Sequence, residues 1–61
     1  MKNSDLEAWQ KRLDFTYVSA ANALGLSRAT YARYLKDPNL PQWLALACAA
    51  LEHNIKPIGY E

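Results

Sequence analysis

The residues with the most chemistry to offer lie close together. Arg28, Arg33 and Lys36 fall within residues 27–36, a stretch without a carboxylate. Five of the six Asp and Glu residues precede residue 27 or follow residue 50, and the sixth, Asp37, stands one position beyond the stretch. A formal net charge of +1 therefore conceals a local cationic segment, suited to an anionic partner met on one face. Little else in the chain points to reactivity. No nucleophile stands in a recognisable spacing with a base, no carboxylates pair in a plausible cleft, and no glycine-rich loop is present to cradle a phosphate, so no enzyme is expected. Cys48 is the single cysteine, which excludes an internal disulfide and a cysteine cage for a metal. It reads as a small core residue in a reducing cytoplasm. His53 suits the carbonyls at a helix end better than a metal, and no cofactor is expected.

These residues need a scaffold, and length limits it. At 61 residues and 6.9 kDa, positions 1–61 form one domain that buries only about 60% of its unfolded surface, too little to enclose a deep catalytic cavity. A composition 51% hydrophobic and 21% charged is that of a globular chain. The longest apolar run, residues 43–51, is about half of the roughly 20 residues a membrane-spanning helix requires. The polar opening Met1-Lys2-Asn3-Ser4-Asp5 predicts no signal peptide, hence a cytoplasmic protein without a membrane partner.

Ser4-Asp5-Leu6-Glu7 reads as a capping box, and Leu6, Trp9 and Leu13 recur at helical spacing, predicting a helix over 5–13. Thr16 caps a second over 17–24, which Gly25 ends by entering the left-handed region cheaply. Ser27 caps a third over 28–36, with Tyr31, Tyr34 and Leu35 on its buried side and Arg28, Ala29, Ala32, Arg33 and Lys36 on the other. Asp37-Pro38-Asn39 stops it. Pro41 fits the first position of a fourth helix over 41–53, and Pro57 closes helical structure in a tail over 54–61. No segment alternates as a strand does. The expected fold is all-α, a compact bundle of four to five helices.

Two helices joined by only three residues must cross steeply, and the block from Tyr17 to Leu35 meets the demands of that corner. A small residue, Ala21, stands where the helices touch; Gly25 tolerates a positive φ; Ala20, Leu24, Leu26, Tyr31 and Tyr34 supply apolar pins. With the lead-in Trp9-Gln10-Lys11-Arg12-Leu13 and the ending Pro41-Gln42-Trp43-Leu44-Ala45-Leu46-Ala47, this block resembles the helix-turn-helix of the Cro/C1-type (XRE) repressors of phages and bacteria. The resemblance covers nearly the whole chain. It implies a lambda-repressor-like bundle whose third helix enters the DNA major groove, with base-reading positions at Ser27, Arg28, Ala29, Ala32 and Arg33. One departure stands out: the second helix opens on Tyr17 where family members often carry a glutamine that contacts phosphate.

Residue types supply a mechanism for such a role. Arg28 and Arg33 lie about 140° apart around a helix, so they reach one groove from opposite flanks of the exposed face. The planar fork of arginine matches the O6/N7 edge of guanine, and Ala29 and Ala32 permit close approach to a thymine methyl. Thr30 and Lys36 suit phosphates, as do Thr16 and Tyr17 beside the unpaired N–H groups opening the second helix. Residues 43–51 are apolar around the full helical circumference, more than one layer of neighbours covers; Trp43, Leu46 and Ala50, with Ile55 and Ile58, are expected to meet a second subunit, the alternative being a central core helix in a monomer. The expected function is a double-stranded DNA-binding repressor acting as a homodimer on a near-palindromic operator, with no small-molecule effector. The competing reading is a protein-interaction module, such as an antitoxin or phage accessory protein. Taken singly, the features have plainer meanings: a solvated cationic face, an ordinary glycine cap, core tyrosines.

Overall fold

Each helix begins and ends where local chemistry permits, and a few tertiary bonds move the boundaries. The computed structural model describes residues 1–59, so Tyr60 and Glu61 of the expected tail lie outside the described residues. Four helices follow in order: α1 (Asn3–Arg12), α2 (Tyr17–Leu24), α3 (Arg28–Tyr34) and α4 (Gln42–Glu52), with no strand among the described residues. The fold is all-α.

The start of α1 corrects the Ser4 capping box. Lys2 is the N-cap in extended backbone, and its N–H donates to the Asp5 carboxylate at 3.0 Å. Starting early lets the Asn3 amide donate to the Leu35 carbonyl at 3.2 Å, while the Leu40 N–H donates to the Met1 carbonyl at 3.0 Å. Two long-range bonds thus outweigh one local cap, and Glu7 pairs instead with Lys11 at 3.1 Å. At its far end α1 stops at Arg12, one residue short of the predicted Leu13. α2 matches its predicted span, with a reciprocal cap: the Ser19 N–H donates to Thr16 Oγ1 at 3.1 Å and the Thr16 N–H to Ser19 Oγ at 2.8 Å.

Three helices end in one motif. Asp14, Gly25 and Asn54 each adopt a left-handed φ near +60 to +70°, and the N–H of the next residue reaches back five positions, Phe15 to Gln10, Leu26 to Ala21 and Ile55 to Ala50. This closes the last carbonyls of α1, α2 and α4 in Schellman fashion. α3 ends differently. It was predicted to reach Lys36 but stops at Tyr34, where the Lys36 and Asp37 N–H groups bond to Arg33 and Tyr34 in tighter turns. Pro38 disfavours helix at Asp37, whose carboxylate accepts the Asn39 N–H at 2.9 Å. Pro41 is likewise the N-cap of α4 rather than its first helical residue, with a non-helical ψ of 153°, and the helix ends at Glu52 with His53 as its C-cap.

Gly25 carries the corner between α2 and α3 at φ +71°, and an added Cβ there would meet nothing within 4 Å. The cost of alanine is therefore conformational alone. Gly25→Ala is expected to destabilise by about 1 kcal/mol, lowering Tm by roughly 4–8 °C in a domain this small, with Gly25→Asn recovering much of the loss because asparagine tolerates this region. Thermal melts of the two variants followed by circular dichroism check this.

The core gathers Leu6 and Trp9 of α1, Ala20 and Ala21 of α2, Tyr31 of α3, Leu40 of the linker, and Leu44 and Cys48 of α4. Ala20 and Ala21 let α2 approach both α3 and α4 closely. The Trp9 indole N–H donates to the Cys48 carbonyl at 3.0 Å, and further along the same seam Arg12 grips Glu52 with two bonds of 3.0 and 2.9 Å. That guanidinium holds the Glu52 carboxyl below its usual range. The radius of gyration, 10.9 Å, is close to the roughly 10–11 Å of a compact chain this long.

Candidate nucleic-acid interface

The cationic residues of α3 share one outward face. Tyr31 is fully buried on the opposite side, and its hydroxyl donates to Gln10 Oε1 at 2.7 Å, which fixes the rotation of α3 against α1. Burial pushes this phenol up to about 12. With Tyr31 inward, Arg28, Ala29, Arg33 and Lys36 are exposed and Ala32 is half-buried. At 100° per residue the four positions within α3 occupy an arc of about 140°, and Lys36 lies in the turn that follows.

Charge pairing separates this face from the rest of the molecule. Among the described residues the ion pairs are Lys11 with Glu7 and Arg12 with Glu52, and none involves Arg28, Arg33 or Lys36. The nearest carboxylate in sequence, Asp37, is engaged with the Asn39 N–H. Arg28 and Arg33 of α3, and Lys36 just beyond it, are therefore exposed without an ion-pair partner among the described residues.

The capping residues are more constrained than the sequence suggests. Ser27 Oγ accepts the Thr30 N–H at 3.1 Å and donates its own proton to Thr30 Oγ1 at 2.8 Å. Ser27 keeps only acceptor capacity for a base, whereas the half-buried Thr30 keeps its hydroxyl proton for a phosphate. Both donors of Thr16 are used on Ser19 Oγ, so a phosphate contact from that residue requires opening the cap. Tyr17 is half-exposed, its ring edge-on to Tyr31 at 6.1 Å between centroids.

Two surface grooves flank these elements. One, of about 550 Å³, is walled by Glu7, Gln10 and Lys11 of α1, by Tyr17 of α2, by Ala32 of α3, and by Leu35 and Lys36 just beyond α3. It brings together Tyr17, Ala32 and Lys36, which sequence reasoning picked separately, and adds α1 residues that it missed. The other, about 240 Å³, is an apolar slot between α2, α4 and the tail, including Leu24, Ala47, Ala50, Ile55 and Pro57. Beside it the outer face of α4 leaves Trp43 and Leu46 exposed at 49% and 63%, with Ile55 at 61% and Ile58 free of cover; Ala50 is half-buried. Trp43 leans its ring on Tyr34 at 6.2 Å. α4 is thus a two-sided helix, Leu44 and Cys48 inward, rather than a helix enclosed all round.

Burial raises the Cys48 thiol to about 11, well away from a reactive thiolate. No three His, Cys, Asp or Glu side chains converge among the described residues, and no helix there is long and apolar enough to cross a membrane. Comparison with family models, curated proteins and solved structures returned no significant match, so the functional reading stands on these residues and their geometry.

Proposed function

We propose that this chain is a sequence-specific binder of double-stranded DNA, a cytoplasmic regulator of small-repressor, Cro-like type. The observation that carries the reading is the trio Arg28, Arg33 and Lys36: three exposed cations without ion pairs among the described residues, two on the outer face of α3 and the third in the turn just after it, with α3 propped outward by a left-handed corner at Gly25 and a buried anchor at Tyr31. The small side chains of Ala29 and Ala32 between the arginines allow that face to approach base edges. In this reading Ser27, Arg28, Ala29, Ala32 and Arg33 face the bases, while Thr30, Lys36 and Tyr17 engage phosphates. The exposed apolar surface of Trp43, Leu46, Ile55 and Ile58 with half-buried Ala50 supports a homodimer, which would place two α3 helices on a near-palindromic operator with half-sites about one turn apart.

Selection of bound duplexes from random DNA tests partner and symmetry together: the expected result is a motif with two-fold symmetry. On the selected duplex, Arg28→Ala and Arg33→Ala are each expected to weaken binding by about 1–3 kcal/mol, some five- to 150-fold, with helical content and Tm unchanged. Binding should also fall steeply as salt rises. If both arginine variants bind DNA as the unaltered chain does, the DNA reading is wrong, and the apolar α4 face then favours a protein-interaction module.

A further inference from the structure

We infer that the groove between α1, the start of α2 and the end of α3 receives a phosphodiester of the duplex backbone, with Lys11 as its α1-side cation and Glu7 as a built-in competitor for that cation. The inference rests on the DNA reading of α3 and extends it to a helix that the reading leaves out. Lys11 of α1 and Lys36, just past α3, line the same groove, together with Tyr17, the first residue of α2. Three kinds of donor line it. Besides the two ammonium groups and the Tyr17 hydroxyl, Gln10 offers its amide NH₂: its Oε1 is held by the Tyr31 hydroxyl, and the NH₂ has no hydrogen bond among the described residues. An open groove of about 550 Å³ with that donor set fits a strand of sugar-phosphate flanking the base pairs α3 faces.

Among the described residues Glu7 is the one carboxylate lining this groove. It pairs with Lys11 at 3.1 Å, but both side chains are largely exposed, at 61% and 75%. A pair so solvated is weak and exchanges readily for another anion. A docking phosphate takes Lys11 from Glu7, and Glu7 then stands beside it as a like charge. The groove as built therefore holds the backbone less tightly than its cations alone would, which favours release from non-specific DNA.

The test uses the full chain and a fluorescein-labelled duplex of about 20 bp of random sequence, titrated from about 50 to 200 mM salt, where phosphate contacts dominate affinity. Lys11→Gln is expected to lower the slope of log K against log salt by about 0.9, the value of one phosphate contact. Glu7→Gln is expected to tighten binding roughly 2–5-fold, the strength of an exposed charge pair. Lys56→Gln, which removes a charge from the other groove, controls for net charge and should leave the slope near that of the unaltered chain. Circular dichroism verifies that each variant is folded. If Lys11→Gln and Glu7→Gln change binding no more than Lys56→Gln does, while Arg28→Ala still weakens it, the groove assignment is overturned and the α3 reading survives. If the unaltered chain fails to bind the duplex at about 50 mM salt, both are overturned.

Discussion

Trp9→Ala is expected to remove about 3–5 kcal/mol of stability, half or more of what a domain this small holds. The indole is 2% exposed and fills the space between α1 and α4, with Phe15 tilted against it at 5.4 Å between ring centroids. Truncating a buried aromatic to alanine costs about 3–5 kcal/mol, counting lost transfer energy and the cavity left behind. A domain of this length has roughly 3–9 kcal/mol of stability in total. No disulfide supports it, since Cys48 is the single cysteine. The indole also donates to the Cys48 carbonyl at 3.0 Å, so the same substitution removes the buried hydrogen bond tying α1 to α4. Trp9→Phe is the informative comparison. It keeps a ring against Phe15 and removes the donor, and a loss of about 1–2 kcal/mol is expected, leaving a folded but weaker domain. Urea titrations followed by circular dichroism distinguish the two. A Trp9→Ala chain melting cooperatively within a few degrees of the unaltered one would mean that α1 is not held through this seam.

The seam shows what could and could not be read from the sequence. Trp9 was legible as a core residue because it sits at helical spacing between Leu6 and Leu13. Its partner was not legible: the acceptor is a backbone carbonyl 39 residues away, and every residue has one. The same division runs through the fold. α2 matched its predicted bounds because both ends are local chemistry, a Thr16 cap and a glycine in the left-handed region. α1 did not, because its start is set by Asn3 reaching Leu35 and Met1 reaching Leu40, and sequence spacing carries no trace of either contact. Asp14 and Asn54 repeat the role of Gly25 at two other helix ends, and their residue types, which enter the left-handed region more readily than most, were the available signal. They were missed because the reading relied on glycine.

The candidate site divides along the same line. The outward set of α3 was readable from period alone, since Tyr31, Tyr34 and Leu35 fix which side faces the core. The groove beside it was not, because its walls come from three segments that only the packed bundle brings together. The capping hydroxyls were half-readable: Thr16 and Ser27 were recognised as caps and also counted toward binding, and the structure shows that capping consumes the Thr16 donors. A side chain that closes a helix end has little left for a ligand. On α4, composition suggested a helix apolar all round, and the structure resolves it into a buried edge at Leu44 and Cys48 and an open one at Trp43 and Leu46.

The second large effect is a loss of stability in alkali, and it comes from the two most deeply placed ionisable groups. The Tyr31 phenol, ordinarily near 10, is pushed up to about 12 by burial, and the Cys48 thiol, ordinarily near 9, to about 11. Both are neutral in the fold and neutral in the unfolded chain below pH 9, so neither makes stability depend on pH there. As pH rises through 9 and then 10, the unfolded chain releases these protons while the folded chain keeps them. The unfolded state then binds fewer protons, and stability falls with pH until the folded groups titrate near 11 and 12. Two pKa units at 1.36 kcal/mol each set a ceiling of about 2–3 kcal/mol per residue, reached only once the folded group has titrated, and a sizeable share of the stability of a domain this small. Tm measured from pH 7 to 11 is therefore expected to be flat to about pH 9 and then to drop steeply. Cys48→Ala should flatten the first part of the fall and Tyr31→Phe the second, each from a lower starting Tm. The phenolate absorbance belonging to Tyr31, taken as the difference between the unaltered chain and Tyr31→Phe, should rise only together with unfolding. A Tyr31 that ionises near pH 10 in the still-folded chain would show that its hydroxyl is open to water. The anchor orienting α3 against α1 would then be far looser than its 2.7 Å bond to Gln10 indicates.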